Sequence, residues 1–255
     1  MPEGYRKSVL PNGIRLVTEA MPHVRSVAVG VWVDTGSRVE PEDRGGISHL
    51  IEHLVFKGTA TRSAEAIARA IDSVGGHMDA FTAKEHTCFY VGVLDEHLPL
   101  AADLLTDILI RPLFSAEDIE KEKSVVLQEI KMVEDTPDDL IHDLHAEQVW
   151  AGHPLGRPIL GAWSRVKDFD RATILRHFQE EYVPERITVA VAGHVEHERV
   201  RDLFAARVDG WERPAAPRTL TAPALHPGIH VVSKTLEQVH LALGFPGVAD
   251  TSPER

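Results

Sequence analysis

Cysteine is almost missing from this chain: Cys88 is the single thiol. An intrachain disulfide is therefore excluded, and the usage fits a reducing compartment. In its apolar surroundings Cys88 reads as a small core residue rather than a nucleophile. Long apolar runs are missing as well. The stretch over 27–33 falls far short of the roughly 20 residues a membrane helix needs. Met1-Pro2-Glu3-Gly4-Tyr5-Arg6-Lys7 has no apolar core of the kind a secretory signal carries, so the expected location is cytoplasmic. Positive charge is in short supply: 27 Lys and Arg against 39 Asp and Glu give a net charge of -12. That balance argues against a nucleic-acid partner. An acidic cleft would instead draw in basic peptides.

What the chain does have is length and apolar content. Its 255 residues, 43% hydrophobic, suffice for one large domain, or one domain plus a piece of another. It also has His49-Leu50-Ile51-Glu52-His53. On a helix, His49 and His53 stand at i and i+4 and point off one face, where two ring nitrogens can share a zinc ion. Glu52 lies beside the metal position and is placed to take a proton from water there. The order His-x-x-Glu-His is one of the zinc-protease signatures. Leu50, Ile51, Leu54, Val55 and Phe56 make the segment mostly apolar, and Lys57-Gly58-Thr59 supplies a glycine stop. Histidines and a glutamate on a short buried helix need partners or a metal.

A catalytic zinc takes a third protein ligand. A second helix begins at Ser115, a plausible N-cap followed by acids in the first turn. Ile119, Val126, Ile130 and Val133 recur on it at helical spacing, and Glu122 and Glu129 share a face. By spacing alone, either carboxylate is one acid on an acidic helix.

The combination of His49-x-x-Glu52-His53 with a distant Glu129 in Val126-Leu127-Gln128-Glu129-Ile130 resembles the pitrilysin and mitochondrial-processing-peptidase family of zinc proteases. The resemblance implies that His49, His53 and Glu129 hold Zn2+ and that Glu52 is the general base. It implies a supporting role for Glu122, seven residues before the ligand glutamate. Phe56-Lys57-Gly58-Thr59 also fits the family. So does Asp79-Ala80-Phe81-Thr82, which matches an edge strand that pairs with extended substrate in the family. Asp79 stands where the family usually has Asn, which leaves backbone pairing as the role expected at that position.

Along the chain, 6–20 reads as a hairpin, 26–33 as a strand, and 77–83 and 86–94 as two more. Helices are expected at the motif and over 63–74, 96–110, 137–150, 171–182 and 196–207, with a strand at 187–192. Mixed order with hairpin links predicts an α+β fold, a mostly antiparallel sheet covered by helices, over 1–210. Pro214, Pro217, Pro223 and Pro227 mark 211–228 as a linker. Stretches 229–234 and 238–245 read as strands. The family resemblance makes 229–255 the start of a second, similar domain, so the chain is expected to be a truncated piece. A second homologous half, or a partner subunit, would then close the cleft. His142 and His145, at i and i+3, are a competing metal pair; the alternative is a solvated or capped helix face.

The reaction implied is metal-assisted hydrolysis of extended peptides. Zinc lowers the pKa of its bound water from ~15.7 toward ~7, and Glu52 moves the proton to the leaving amine. Rival readings are a non-catalytic scaffold subunit, a zinc-binding peptide carrier, or a fragment that needs its second half for activity.

Overall fold

The computed structural model describes residues 4–249 and residue 252. Six strands form one sheet in the order β1-β2-β6-β3-β5-β4. They are β1 Tyr5–Val9, β2 Arg15–Ala20, β3 Ser26–Val33, β4 His77–Thr82, β5 Thr87–Leu94 and β6 Ile187–Gly193. Every neighbouring pair is antiparallel except β2–β6, which is parallel. The α+β expectation thus holds, with one late strand driven into the middle of the sheet.

Alternation decides which face is covered. Val27, Val29, Val31 and Val33 of β3 are all buried, as are Phe89, Val91 and Val93 of β5 and Val189 and Val191 of β6. Helices α1 (Ile47–Val55), α3 (Leu98–Ile110), α7 (Arg171–Glu181) and α8 (His197–Arg207) share a core with this face. Helix α3 lies on β3 and β5 through a nearly continuous apolar surface, including Leu104, Leu105 and Ile108. Burying side chains of this size stabilises by roughly 1.5–3 kcal/mol each. The opposite face carries Ala28, Gly30, Gly92, Ala190 and Ala192, flanked by Trp32, Phe81 and Tyr90, and forms a trough of about 560 Å³.

Helix α2 (Ala64–Asp72) follows the motif loop, and α4 (Ala116–Asp135), α5 (Pro137–Val149) and the short α6 (Trp163–Asp168) lie between α3 and α7. The sequence reading omits α6 and the single 3-10 turns. Helix α1 contacts α4, α7 and β4, so it sits between the acidic helix and the free edge of the sheet. The core reaches as far as Val208 and Trp211.

Two expectations need correction. Stretches 229–234 and 238–245 are not strands; residues 212–249 contain neither helix nor strand. A strand needs a neighbour to complete its ladder, and no β-partner adjoins these residues among those described. Ile229 is 93% exposed, Val239 96% and Phe245 82%. Single contacts fix the segment along α5 instead. His226 N donates to Val149 O at 2.9 Å, and His240 Nδ1 lies 2.8 Å from Asp138 Oδ1. Residues 1–3, 250, 251 and 253–255 of the two expected domains lie outside the described residues.

Candidate metal centre

The entry to α1 explains why two glycines precede the motif. Gly46 has φ 94°, and a Cβ there would come within 2.5 Å of Leu160 O. A glycine can offer no capping side chain, so the first amides of the helix need another acceptor. Glu40 provides it from six residues upstream: Oε2 accepts from Gly46 N and Oε1 from Ser48 N, both at 2.8 Å. Burial pushes the Glu40 carboxyl up, and the two amide hydrogen bonds pull it back. Arg157 donates to Glu40 O at 2.9 Å, and Lys84, in the β4–β5 turn, donates to Arg157 O.

From this start, Leu50, Ile51, Leu54 and Val55 turn into the core. His49 and His53 turn the other way, their ring centroids 4.7 Å apart. Burial, and secondarily the neighbouring His53, holds His49 down at about 4, so its ring is a neutral nitrogen donor at pH 7. Helix α4 meets them from the side. Ser115 caps it by accepting from Asp118 N at 3.1 Å, and Ile119, Val126 and Ile130 bury its inner stripe. Glu129 Oε2 then lies 3.8 Å from His49 Nε2 and 3.7 Å from His53 Nε2.

These three donors are the one group of metal-ligating side chains that converges in this way among the described residues. Two atoms bound to one zinc at ~2.1 Å in tetrahedral geometry stand about 3.4 Å apart. The two His–Glu separations need only a few tenths of an ångström of adjustment, and all three ligand atoms lie within 4.8 Å of one another. Glu129 Oε2 is buried with no hydrogen-bond partner. A buried carboxylate oxygen without a donor is costly, and a cation at the shared point would satisfy it. The residues therefore fit a divalent ion.

The two imidazoles are held unequally. His53 Nδ1 is 3.2 Å from Glu122 Oε2, whose other oxygen takes Lys57 Nζ at 2.9 Å. That orients His53 so that Nε2 faces Glu129. His49 Nδ1 is buried without a partner. Glu52 stands apart from the three donors. Burial pushes its carboxyl up, and the Thr82 hydroxyl hydrogen bond pulls it down.

Strand β4 is an edge of the sheet, and its side chains alternate. Ala80 and Thr82 face inward. Asp79 and Phe81 face outward, where Tyr90 Oη donates to Asp79 Oδ2 at 3.4 Å. His142 and His145 join no third ligand among the described residues. The Cys88 thiol is buried and pushed up to about 12 by burial, but alternation places it on the trough face beside Gly30 rather than in the helix-covered core.

Glu40, Arg157 and His177 escape the sequence reading, as does the pairing of Lys57 with Glu122. His177 is fully buried behind α1, 3.4 Å from Ser48 Oγ, and burial holds it at about 3. Lys57 was within reach of inference, being i+4 from His53. Glu40 was not: it is one of several acids in an irregular loop.

The model of the insulinase peptidases, family M16, matches residues 15–162, more than half the chain. The chain belongs to peptidase family M16. A second M16 model, described as the inactive domain, matches residues 168–255. Among M16 relatives, an uncharacterized zinc protease of Mycobacterium tuberculosis is 45% identical over 245 residues, 94% of this chain and 56% of the relative. Another, from Bacillus subtilis, is 43% identical over 241 residues, 93% of this chain and 58% of the relative. The chain thus spans little more than half the length of these curated relatives. A protease from Helicobacter pylori superposes with TM-score 0.80 at 20% identity, over 87% of this chain and 53% of that one. Pitrilysin does so with TM-score 0.76 at 22% identity, over 86% and 24%. Both share the M16 fold seen here.

Proposed function

We propose that this chain is the metal-bearing half of a zinc endopeptidase that cleaves extended peptides. The observation that carries the reading is the meeting of His49 Nε2, His53 Nε2 and Glu129 Oε2 around a point where a buried carboxylate oxygen has no partner. The names of the M16 relatives, zinc proteases, support zinc as the ion. When bound, zinc supplies Lewis acidity, polarising a carbonyl and acidifying water.

The chain's own groups do the rest. His49, His53 and Glu129 hold the ion. Glu122 and Lys57 keep the His53 ring turned toward it. Glu52 accepts the proton of the attacking water and returns it to the leaving amine. The free edge of β4, from Asp79 through Ala80 and Phe81 to Thr82, holds the peptide as an added strand, reading backbone more than side chains. The net charge of -12 favours basic peptides at the cleft.

A second reading keeps the zinc and withholds cleavage until another half closes the cleft. It is favoured by the relatives' greater length and by the unpaired strand-like sequence over 229–249. On either reading, 229–255 is the opening of a second homologous domain.

One experiment separates these. Zinc content and hydrolysis of an unstructured basic peptide are measured for the chain and two variants, with and without chelator. Glu52→Gln should keep full zinc and lose about 10²–10⁴ in turnover. Glu129→Ala should lose most of the metal. Unchanged zinc in Glu129→Ala, or unchanged turnover in Glu52→Gln, overturns the assignment. Full zinc with no turnover in the unmodified chain selects the second reading.

A further inference from the structure

We propose that Thr82 is a positioning residue for Glu52: its hydroxyl aims the carboxylate, so the strand that receives the peptide also sets the base. The inference rests on the reading of Glu52 given above and extends it to a residue outside the motif.

Strand alternation sends Thr82 toward α1 while its neighbour Phe81 points to the other face. Its hydroxyl donates to Glu52 Oε2. The direction of that bond follows from the surroundings. Thr87, paired with Thr82 across the β4–β5 register, gives its own proton to Thr35 O at 3.0 Å. An ionised carboxylate can only accept, so the Thr82 proton goes to Glu52. Among the described residues no donor reaches Glu52 Oε1, which leaves that oxygen for water. Glu52 is a long side chain near the end of a short helix, and without an anchor it samples several rotamers. Loss of aim by about an ångström costs on the order of 10²-fold in a catalysed step.

The anchor's location matters. Thr82 closes β4, and its turn is tied to the motif helix from the other side through Lys84, Arg157 and Glu40. A peptide pairing with the β4 edge therefore steadies the residue that steadies the base.

The test uses Thr82→Val, which keeps the shape and removes the hydroxyl, and Thr82→Ser, which keeps the hydroxyl. Each is made alone and together with Glu52→Gln. Peptide turnover, KM, zinc content and denaturant unfolding are measured. Thr82→Val should lower kcat about 10- to 100-fold with KM and zinc unchanged, and Thr82→Ser should restore most of it. In the Glu52→Gln background Thr82→Val should cause no further loss. Full kcat in Thr82→Val, a loss that Ser does not restore, or an equal loss in the Glu52→Gln background overturns the proposal. Unchanged turnover in Glu52→Gln sinks the base assignment itself, and is told apart by that variant alone. Should the chain show no turnover, unfolding decides. More than twofold coupling between Thr82→Val and Glu52→Gln in the unfolding constant supports the contact, and simple additivity overturns it.

Discussion

The body that ends at Trp211 and the segment that follows carry similar sequence and meet opposite fates. Ser26–Val33 is rich in β-branched residues and lies between two neighbours, with Val31 3% exposed. The stretch 238–245 alternates in the same manner and forms no strand, with Leu241 77% exposed. Local pattern states what a backbone does once a partner is present. The partner is a property of the whole chain, and among the described residues only the first stretch has one.

The comparison is broken or sharpened most strongly by matched truncations. Leu50→Ala, at a fully buried site behind the motif, should cost about 2–5 kcal/mol in denaturant unfolding. Leu241→Ala should stay within about 0.5 kcal/mol. A cost above about 1 kcal/mol at Leu241 would make the segment part of the folded unit.

A smaller effect comes from pH. Buried His49 sits at about 4 and buried His177 at about 3, both below the ordinary imidazole value of 6.5. Between those values the unfolded chain binds protons that the folded one refuses. The stability that these two rings contribute to the metal-free chain is therefore full above about pH 6.5 and falls on acidification, by up to about 1.4 kcal/mol per pH unit for each ring, while the raised Glu40 and Glu52 carboxyls act in the opposite sense. Unfolding titrations should show this slope, reduced by one proton in His177→Gln and unchanged in a chain ending at Trp211. A slope that vanished with the segment would place the sensitivity there.

Much of the centre was legible because it is local. Two imidazoles at i and i+4 on an apolar helix need no tertiary knowledge, and the acidic helix of Glu122 and Glu129 declares itself by cap and stripe. That Glu129 meets those rings came from the family resemblance; spacing along the chain does not encode a contact between distant helices. The Thr82 hydroxyl, the Glu40 cap and the Lys57–Glu122 pair were hidden for the same reason. Each is a short polar contact between elements far apart in sequence, made by residue types common on any surface. The parallel pairing of β2 with β6 was equally invisible, since both strands read correctly and only their adjacency was missing.

That adjacency has a consequence for biogenesis. Strand β6, Ile187–Gly193, is the last of the six sheet strands in chain order, yet it joins β2 to β3. Until the ribosome has delivered it, the N-terminal hairpin and the remaining three strands are two unjoined ribbons with bare edges at β2 and at valine-rich β3. Such intermediates are slow to mature and prone to stick to one another. A nascent chain stopped before Ile187 would lack the keystone rather than a margin, and every side chain of the proposed metal centre would already have been synthesised on a scaffold still unable to close.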